Sequence, residues 1–413
     1  MPSLSFAVFR SAGFRFGSPL LISILMIFAL EGLTAVLASY QDLLLTLPYI
    51  LFSLVVLLSQ PFNQGRTGLV ALLMMVAYYI IQTYLQEPLS NDSTKLIFII
   101  LASLLPLNLL QIHIMPDKRL WSRFGVYFIL FIALQIAWAA LVVDHFANTT
   151  LTWLWETYLY TIPTFSPLPL MLILLAFSLT CSSAATILKR NFGSDQTVYI
   201  SLLFSSLAFV LFQYAFISST AFSLAATLLL LNIITCSHEL AFVDQLTNIP
   251  GRRALETELK NLGRTYTLAM LDIDHFKKFN DNHGHKVGDD VLKLVAKIMQ
   301  QTKGGAQIFR YGGEEFTILF KGKEASQCQD YLEQLRMAIA KYDLIIRVQN
   351  DRPKNDEKGT ELRQQDQKNK SVHITVSIGL ADSFPDHNPE NVLKAADEAL
   401  YKAKNSGRNR VAR

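Results

Sequence analysis

Four acidic residues, in two short strings of a 413-residue chain, could do chemistry. Asp272 and Asp274 close the run YTLAMLDIDHF, whose apolar and β-branched residues predict a buried strand from Tyr266. In α/β folds an acid at the C-terminal end of a central strand points into the crevice where ligands bind. Asp272 lies within the apolar run and needs a charge partner to be tolerated there. Asp274 reads equally well as a solvated strand end. Glu314 and Glu315 follow AQIFRYGG, in which two apolar strand runs meet at Gly312 and Gly313. The glycine pair predicts a tight hairpin with positive φ in its turn. A turn without side chains lets a bulky phosphate ligand approach the backbone, and neighbouring acids can hold hard cations.

Other polar groups must be brought to these acids by helices. FKKFNDNHGHKVGDDVLKLVAKIM reads as a polar loop entering an amphipathic helix, with Val287, Val291, Leu294, Val295 and Ile298 on its apolar side. Asn280, His285 and Asp289 stand near its start, where backbone donors attract anions. A further strand, VHITVSIGLA, precedes a helix with Asn388 as N-cap, Pro389 at its first position and Gly407 as terminator. Lys404 and Arg408, four apart, share a face of its last turn, as ligand contacts or as cations favoured by the helix dipole.

Before residue 240 stand 9 of the 37 basic and 9 of the 33 acidic residues, so the net charge of +4 belongs to the C-terminal part. Interspersed signs and a modest excess give no polyelectrolyte signature, which excludes duplex nucleic acid as a partner. Cys181, Cys236 and Cys328 lack metal or disulfide spacing and read as small buried apolar residues.

Residues 1–236 can be cut into eight apolar stretches, near 18–38, 43–59, 68–86, 95–115, 124–143, 166–187, 198–216 and 218–236. Each approaches the roughly 20 residues that cross a bilayer. Arg10, Arg15, Arg66, Lys118, Arg119, Arg123, Lys189 and Arg190 fall in loops on one side, while the opposite loops carry only Lys95. This asymmetry predicts both termini in the cytoplasm, which requires an even number of spans. The turn between the last two spans is placed at 217–220. No cleavable signal peptide is evident, so the chain is expected to stay anchored.

Trp153, Trp155, Tyr158 and Tyr160 suit an aromatic anchor on the outer surface. Glu31, a charge inside the first span, is a candidate for packing or for sensing. Asn108, Gln111, His113 and Gln135 read as interhelical hydrogen-bonding groups. After Cys236 a soluble pattern begins at once. That stub of about two helical turns leaves no room for a separate sensor module, so any signal is expected to pass through the helices.

Six strings together resemble the diguanylate cyclases, the GGDEF-domain family. They are DQLTNIPGRR at 244–253, DIDHFKKFND at 272–281, GHKVGDDVL at 284–292, RYGGEEF at 310–316, SIGLA at 377–381 and YKAKNSGRN at 401–409. The resemblance covers about residues 237–413. It implies over 237–413 a palm-like α/β (α+β) cyclase domain with a mainly antiparallel sheet and covers none of residues 1–236, which the apolar stretches predict to be a transmembrane sensor or anchor, a polytopic all-α domain of about eight helices.

The implied activity condenses two GTP into cyclic di-GMP and two pyrophosphates, across a homodimer in which each subunit holds one GTP. The implied location is a bacterial cytoplasmic membrane, its lipid bilayer and an unidentified small-molecule or membrane signal being the other partners. Seven spans would put the domain outside, away from GTP. By position, Asp272, the carbonyl of Ile273 and Glu314 would bind magnesium, or manganese in its place, with Glu315 as a further ligand. Glu314 is also the implied proton acceptor. Asn280 and Asp289 would read guanine, with His285 and Phe276 beside the nucleotide. Lys277, Lys404 and Arg408 would neutralise the triphosphate, and the Gly312–Gly313 turn would pass beneath it.

Departures from the family pattern matter as well. An inhibitory product site uses an R-x-x-D string before the glycine turn, but Lys303, Gly304, Gly305 and Ala306 stand here, so no product inhibition through that site is expected. NIPGRR replaces the common GLPNRR. The charged stretch QNDRPKNDEKGTELRQQDQKNKSVH reads as a flexible hairpin insertion. Alternatives are a receptor that binds GTP or cyclic dinucleotide with weak catalysis, disfavoured by the presence of Asp272, Glu314 and Glu315, and a cyclase with a different cyclic dinucleotide product. Transport by the apolar half lacks support, since no repeated halves or broken helices are evident.

Overall fold

The computed structural model describes residues 11–146, 159–162, 164–346 and 370–413. Trp153, Trp155, Tyr158, the side chain of Glu31 and residues 347–369 lie outside the described residues. The chain divides into two compact units, Met1–Ser237 and His238–Arg413.

Among its described residues the first unit is built of helices: α1 (Ala12–Ser39), α2 (Gln41–Ser59), α3 (Gly65–Tyr84), α4 (Asp92–Ile114), α5 (Arg123–Phe146), α6 (Leu170–Arg190), α7 (Gly193–Val210) and α8 (Ile217–Phe242), whose last turn belongs to the second unit. Seven of them are long and apolar enough to cross a membrane. The sequence reading placed eight comparable spans, and α7 is the exception.

Burial explains the exception. Asp195, Gln196, Thr197, Ser201 and Ser205 of α7 are all buried. Part of this polar content is satisfied locally: Asn232 Nδ2 donates to the Gly193 carbonyl (2.8 Å) and to Thr197 Oγ1 (3.0 Å), and Ser205 Oγ donates to the Ser201 carbonyl (2.6 Å), whereas Ser201 Oγ and Asp195 Oδ2 are buried without a hydrogen-bond partner. A helix wrapped by other helices can therefore be less apolar than one on the outside of the unit. The opposite case is α5, with the highest mean hydropathy of the seven (2.5) and 6% of its most apolar window buried.

The turn expected at 217–220 lies instead between Val210 and Ile217, with Phe216 at φ 61°. Asn108 does bond across helices, donating to Gln135 Oε1 at 2.8 Å. His113 faces the buried Asp195 at 3.6 Å, whereas Gln111 is exposed. Of the cysteines, only Cys328 is a buried apolar residue; Cys181 is exposed and Cys236 is half-buried.

The second unit wraps helices around a five-stranded sheet of order β2-β3-β1-β6-β7. Its strands are β1 (Tyr266–Ile273), β2 (Gln307–Arg310), β3 (Glu315–Lys321), β6 (Val376–Asp382) and β7 (Val411–Ala412), with β4 (Leu344–Ile346) and β5 (Lys370–Val372) pairing as a separate two-stranded sheet. All neighbours are antiparallel except the β6–β7 pair. The central strand β1 is buried along its whole length, as its unbroken apolar run requires.

Alternate residues of β1 serve two cores. Ala269, Leu271 and Ile273 pack with α10 (Phe276–His283), α11 (His285–Met299) and α12 (Ala325–Ala340). Leu268 and Met270 pack with α9 (Arg252–Leu259) and α13 (Pro389–Asn405). On α11 the buried stripe is Gly288, Val291, Leu292, Val295, Ala296 and Met299, so Val287, Leu294 and Ile298 flank it rather than form it. Asn388 caps α13 by accepting from the Glu390 N–H at 3.1 Å, and Gly407, at φ 107°, follows its end. A Cβ on Gly379 of β6 would stand 2.0 Å from the backbone nitrogen of Leu400, so glycine is what lets α13 press against the sheet.

Candidate active site

Asp272 sits one residue before the end of β1, directly across from Glu315 on β3 and Ser377 on β6. Its carboxylate is 5% exposed and accepts the Lys404 ammonium at 2.9 Å. The buried acid thus has the charge partner that its apolar setting demands. Burial pushes the Asp272 carboxyl above its ordinary range; Lys404 opposes this, the neighbouring Asp274 adds to it, and Arg408 opposes it. Glu314 is raised as well, by burial first and the Asp272 charge second, with Glu315 adding. These four groups, Asp272, Glu314, Glu315 and Lys404, form one electrostatic cluster at the end of the sheet. Arg408 is exposed but close enough for Asp272 to feel its charge.

Hard carboxylate oxygens gathered in such a cluster are the donor chemistry that suits a divalent cation. Among the described residues, no three His, Cys, Asp or Glu side chains converge as a complete metal cage. Two carboxylates together with a backbone oxygen remain compatible with that result.

The glycine turn differs from its expectation. Neither Gly312 nor Gly313 has φ in the left-handed region. The reason is loop length: β2 ends at Arg310 and β3 begins at Glu315, with the Tyr311 and Gly312 N–H groups donating to the Glu315 carbonyl at 2.9 and 3.2 Å. A loop wider than two residues reverses the chain without mirror-image turn angles.

Arg310 fixes this loop from below. Its Nη2 donates to the Gly313 carbonyl (2.8 Å) and its Nη1 to Asp244 Oδ1 (2.7 Å), which also accepts from Thr247 N (2.8 Å) and Thr247 Oγ1 (2.6 Å). For Asp244 burial works upward, but the bonds from Thr247 and Arg310 outweigh it and hold the carboxyl below its ordinary range. The sequence reading singled out none of Arg310, Asp244 and Thr247. Asp244 three residues before Thr247 was a usable signal, since an Asp side chain commonly accepts from the backbone just ahead of it.

On α10, Asn280 keeps its Oδ1 buried without a hydrogen-bond partner. That oxygen lies 1.8 Å from where a Cβ on Gly288 would stand, so a side chain at Gly288 would evict it. Gly288 thereby seats Asn280 next to the turn of α11 that carries Asp289. Phe276 is 5% exposed and belongs to the core beneath, its ring against Gly288. Lys277, His285 and Asp289 are exposed on the same two helices. A cavity of about 920 Å³ opens beside Glu315 between α9 and α13. Asp272, Glu314, Asn280 and Asp289 do not line it.

Asp274 departs from the reading as a solvated strand end. It is 7% exposed, and its two oxygens accept from Thr375 Oγ1 (2.7 Å), Ser377 Oγ (2.7 Å) and the Asn409 N–H (3.1 Å).

Residues 241–357 and 354–410 match the sequence family described as diguanylate cyclase, GGDEF domain. Similar proteins include Diguanylate cyclase VdcA of Vibrio cholerae, 34% identical over 175 residues that make up 41% of this chain and 46% of that protein. Response regulator PleD of Caulobacter vibrioides is 34% identical over 189 residues, 44% of this chain and 37% of that one. Among solved structures, the coiled coil and GGDEF domain of DgcB from Caulobacter crescentus in complex with c-di-GMP shares 33% identity, with 46% of this chain and 94% of that chain covered and a TM-score of 0.39. The chain spans less than half the length of the two full-length relatives.

Proposed function

We propose that this chain, whose C-terminal unit carries a diguanylate cyclase GGDEF domain, is a membrane-bound enzyme that condenses two GTP into cyclic di-GMP. The observation that carries the reading is the cluster of Asp272, Glu314 and Glu315 at one sheet end, answered by Lys404. In each of two equivalent steps a ribose 3′ oxygen bonds to the α-phosphorus of the opposite GTP. The α–β phosphoanhydride bond breaks, pyrophosphate departs, and the 3′ proton passes to a base.

Asp272, Glu314 and the Ile273 carbonyl would hold magnesium, or manganese, with Glu315 beside them. A divalent ion there supplies charge neutralisation of the triphosphate. Lys404 and Arg408 hold phosphate oxygens, joined by Lys277 from α10. The amide of Asn280 and the carboxylate of Asp289 satisfy the donors and acceptors of guanine, with His285 at the same edge. Glu314 receives the 3′ proton. Because each 3′ hydroxyl attacks a nucleotide held by another subunit, the active form is a homodimer.

Seven apolar helices support a membrane location, as does a first unit that exposes Phe28, Leu134, Leu141 and Met171 at 69–82%. In this reading α7 is an interior eighth span, which keeps both termini in the cytoplasm with the GTP, and the helical unit governs the cyclase.

The test is the full chain in lipid nanodiscs with GTP, ATP and magnesium, its product identified by mass spectrometry. Cyclic di-GMP alone is expected, falling by about 10²–10⁴-fold in Glu314→Gln, the range for a positioned proton-transfer group. Undiminished turnover in that variant, or a product containing adenosine, would overturn the reading.

A further inference from the structure

Asp274 is a buried acid for which the reaction above has no use. Three neutral donors converge on its carboxylate: two hydroxyls from the start of β6 and the segment before it, and one N–H from beyond α13. Its own N–H donates to the Thr375 carbonyl at 2.9 Å. Among the described residues no ion pair to it is formed. A buried carboxylate without a counter-ion is tolerated only when several donors saturate it, as these do. Saturation leaves both oxygens committed to the protein, unlike those of Asp272 two residues earlier.

What those bonds secure is the turn after α13. Arg408 and Asn409 both have φ in the left-handed region, at 60° and 46°. Successive non-glycine residues there are costly and persist only when their surroundings over-determine them. The determinants are visible: Arg408 N donates to the Ala403 carbonyl (3.1 Å), Asn409 N to Asp274 Oδ2 (3.1 Å), and Arg336 Nη1 to Asn409 Oδ1 (2.7 Å). From this turn β7 leaves to pair with β6, the Ile378 N–H donating to the Arg410 carbonyl at 2.9 Å. Among the described residues, the Asp274 bond is what ties the turn to the end of β1, two residues beyond Asp272.

We infer that Asp274 is a positioning residue that holds the Arg408 turn over the end of β1, so that one strand fixes both the cation-holding acid and the phosphate-binding guanidinium. The inference rests on the cyclase reading for what Arg408 binds. Asparagine is the informative replacement, because it keeps the shape but offers one acceptor oxygen where two are used.

The experiment compares the full chain in nanodiscs with Asp274→Asn, Arg408→Ala and the double variant, by kcat, KM for GTP and amide hydrogen exchange. Asp274→Asn should raise KM about 10-fold, the scale of a lost bond to a charged group, and leave kcat within about 3-fold. The double variant should have the KM of Arg408→Ala alone, because residues acting through one another are not additive. The Asn409 amide should exchange faster in Asp274→Asn. A merely structural role would lower kcat through a smaller active fraction and leave KM unmoved, which would overturn the inference, as would additive effects on KM. Should Asp274→Asn not fold, Thr375→Val removes one donor and should move KM and exchange in the same sense; no change in either would refute the proposal. A wild-type chain without GTP turnover would sink the cyclase reading, while exchange at Asn409 would still decide whether Asp274 holds the turn.

Discussion

The two units differ in where their buried charge gathers. In the helical unit several buried polar groups are matched in neutral pairs, Asn108 with Gln135 at 2.8 Å, Thr67 with Thr197 at 3.2 Å, and Tyr78 with Ser219 at 2.9 Å, while the buried Asp195 faces Arg66 and His113. In the second unit like charges are crowded instead, and burial and repulsion raise both Asp272 and Glu314. Neutral pairs satisfy each other and lock helices in register. Crowded acids leave an electrostatic demand unmet, and an unmet demand is what a ligand can answer.

The sharpest way to break this contrast is to neutralise the crowded end. Asp272→Asn should reduce cyclic di-GMP formation by about 10²-fold or more, the several kcal/mol of charge stabilisation that a held cation supplies, while the folded unit persists, since Lys404 is freed rather than buried alone. Product yield beside a thermal melt checks it; retained turnover would mean that the charge cluster is incidental.

Next in size is Gly379→Ala, which drives a methyl against the backbone of α13. Overpacking of this kind costs about 1–3 kcal/mol, so a lower Tm and weaker activity should appear together. Gly288→Ala should act more selectively, displacing Asn280 Oδ1 and raising KM for GTP with little change in Tm. A variant that lost Tm and kept KM would remove Asn280 from guanine recognition.

Smaller still is the helical unit's own test. Asn108→Ala and Gln135→Ala should show a coupling of about 0.6 kcal/mol in a double-mutant cycle on thermal stability, the average for polar pairs between membrane helices. No coupling would leave their contact without energetic weight.

The least effect concerns acid. Because Asp244 is held below its ordinary range, its contribution to stability is present above the unfolded-state value, near 3.9, and is lost as pH falls through the folded one. Asp244→Asn should therefore flatten the acid end of a Tm-versus-pH curve and leave its shape near neutrality alone.

How much of this was legible beforehand differs between the units for the same physical reason. Local patterns announce elements, so β1, the β2–β3 hairpin and α13 with its Asn388 cap were readable from periodicity and capping residues. Asp272 within an apolar run called for a partner, and Lys404 supplies it. Asp274 did not announce itself, because its donors Thr375, Ser377 and Asn409 stand more than a hundred positions away. The glycine turn was misread at Gly312 and Gly313 because composition does not reveal loop width. Hydropathy likewise cannot tell a helix on the outside of the unit from one enclosed by its neighbours, so the stretch 198–216 reads as a span like the other seven although α7 is largely buried.

One guanidinium has a wider reach than its size suggests. Arg310 grips the carbonyl at the tip of the acid-bearing loop with one nitrogen and the carboxylate at the opening of the unit with another. It works as a crossbar. Asp244 and Gly313, far apart in the chain, thus share one side chain, and Glu314 follows one residue after the carbonyl it holds.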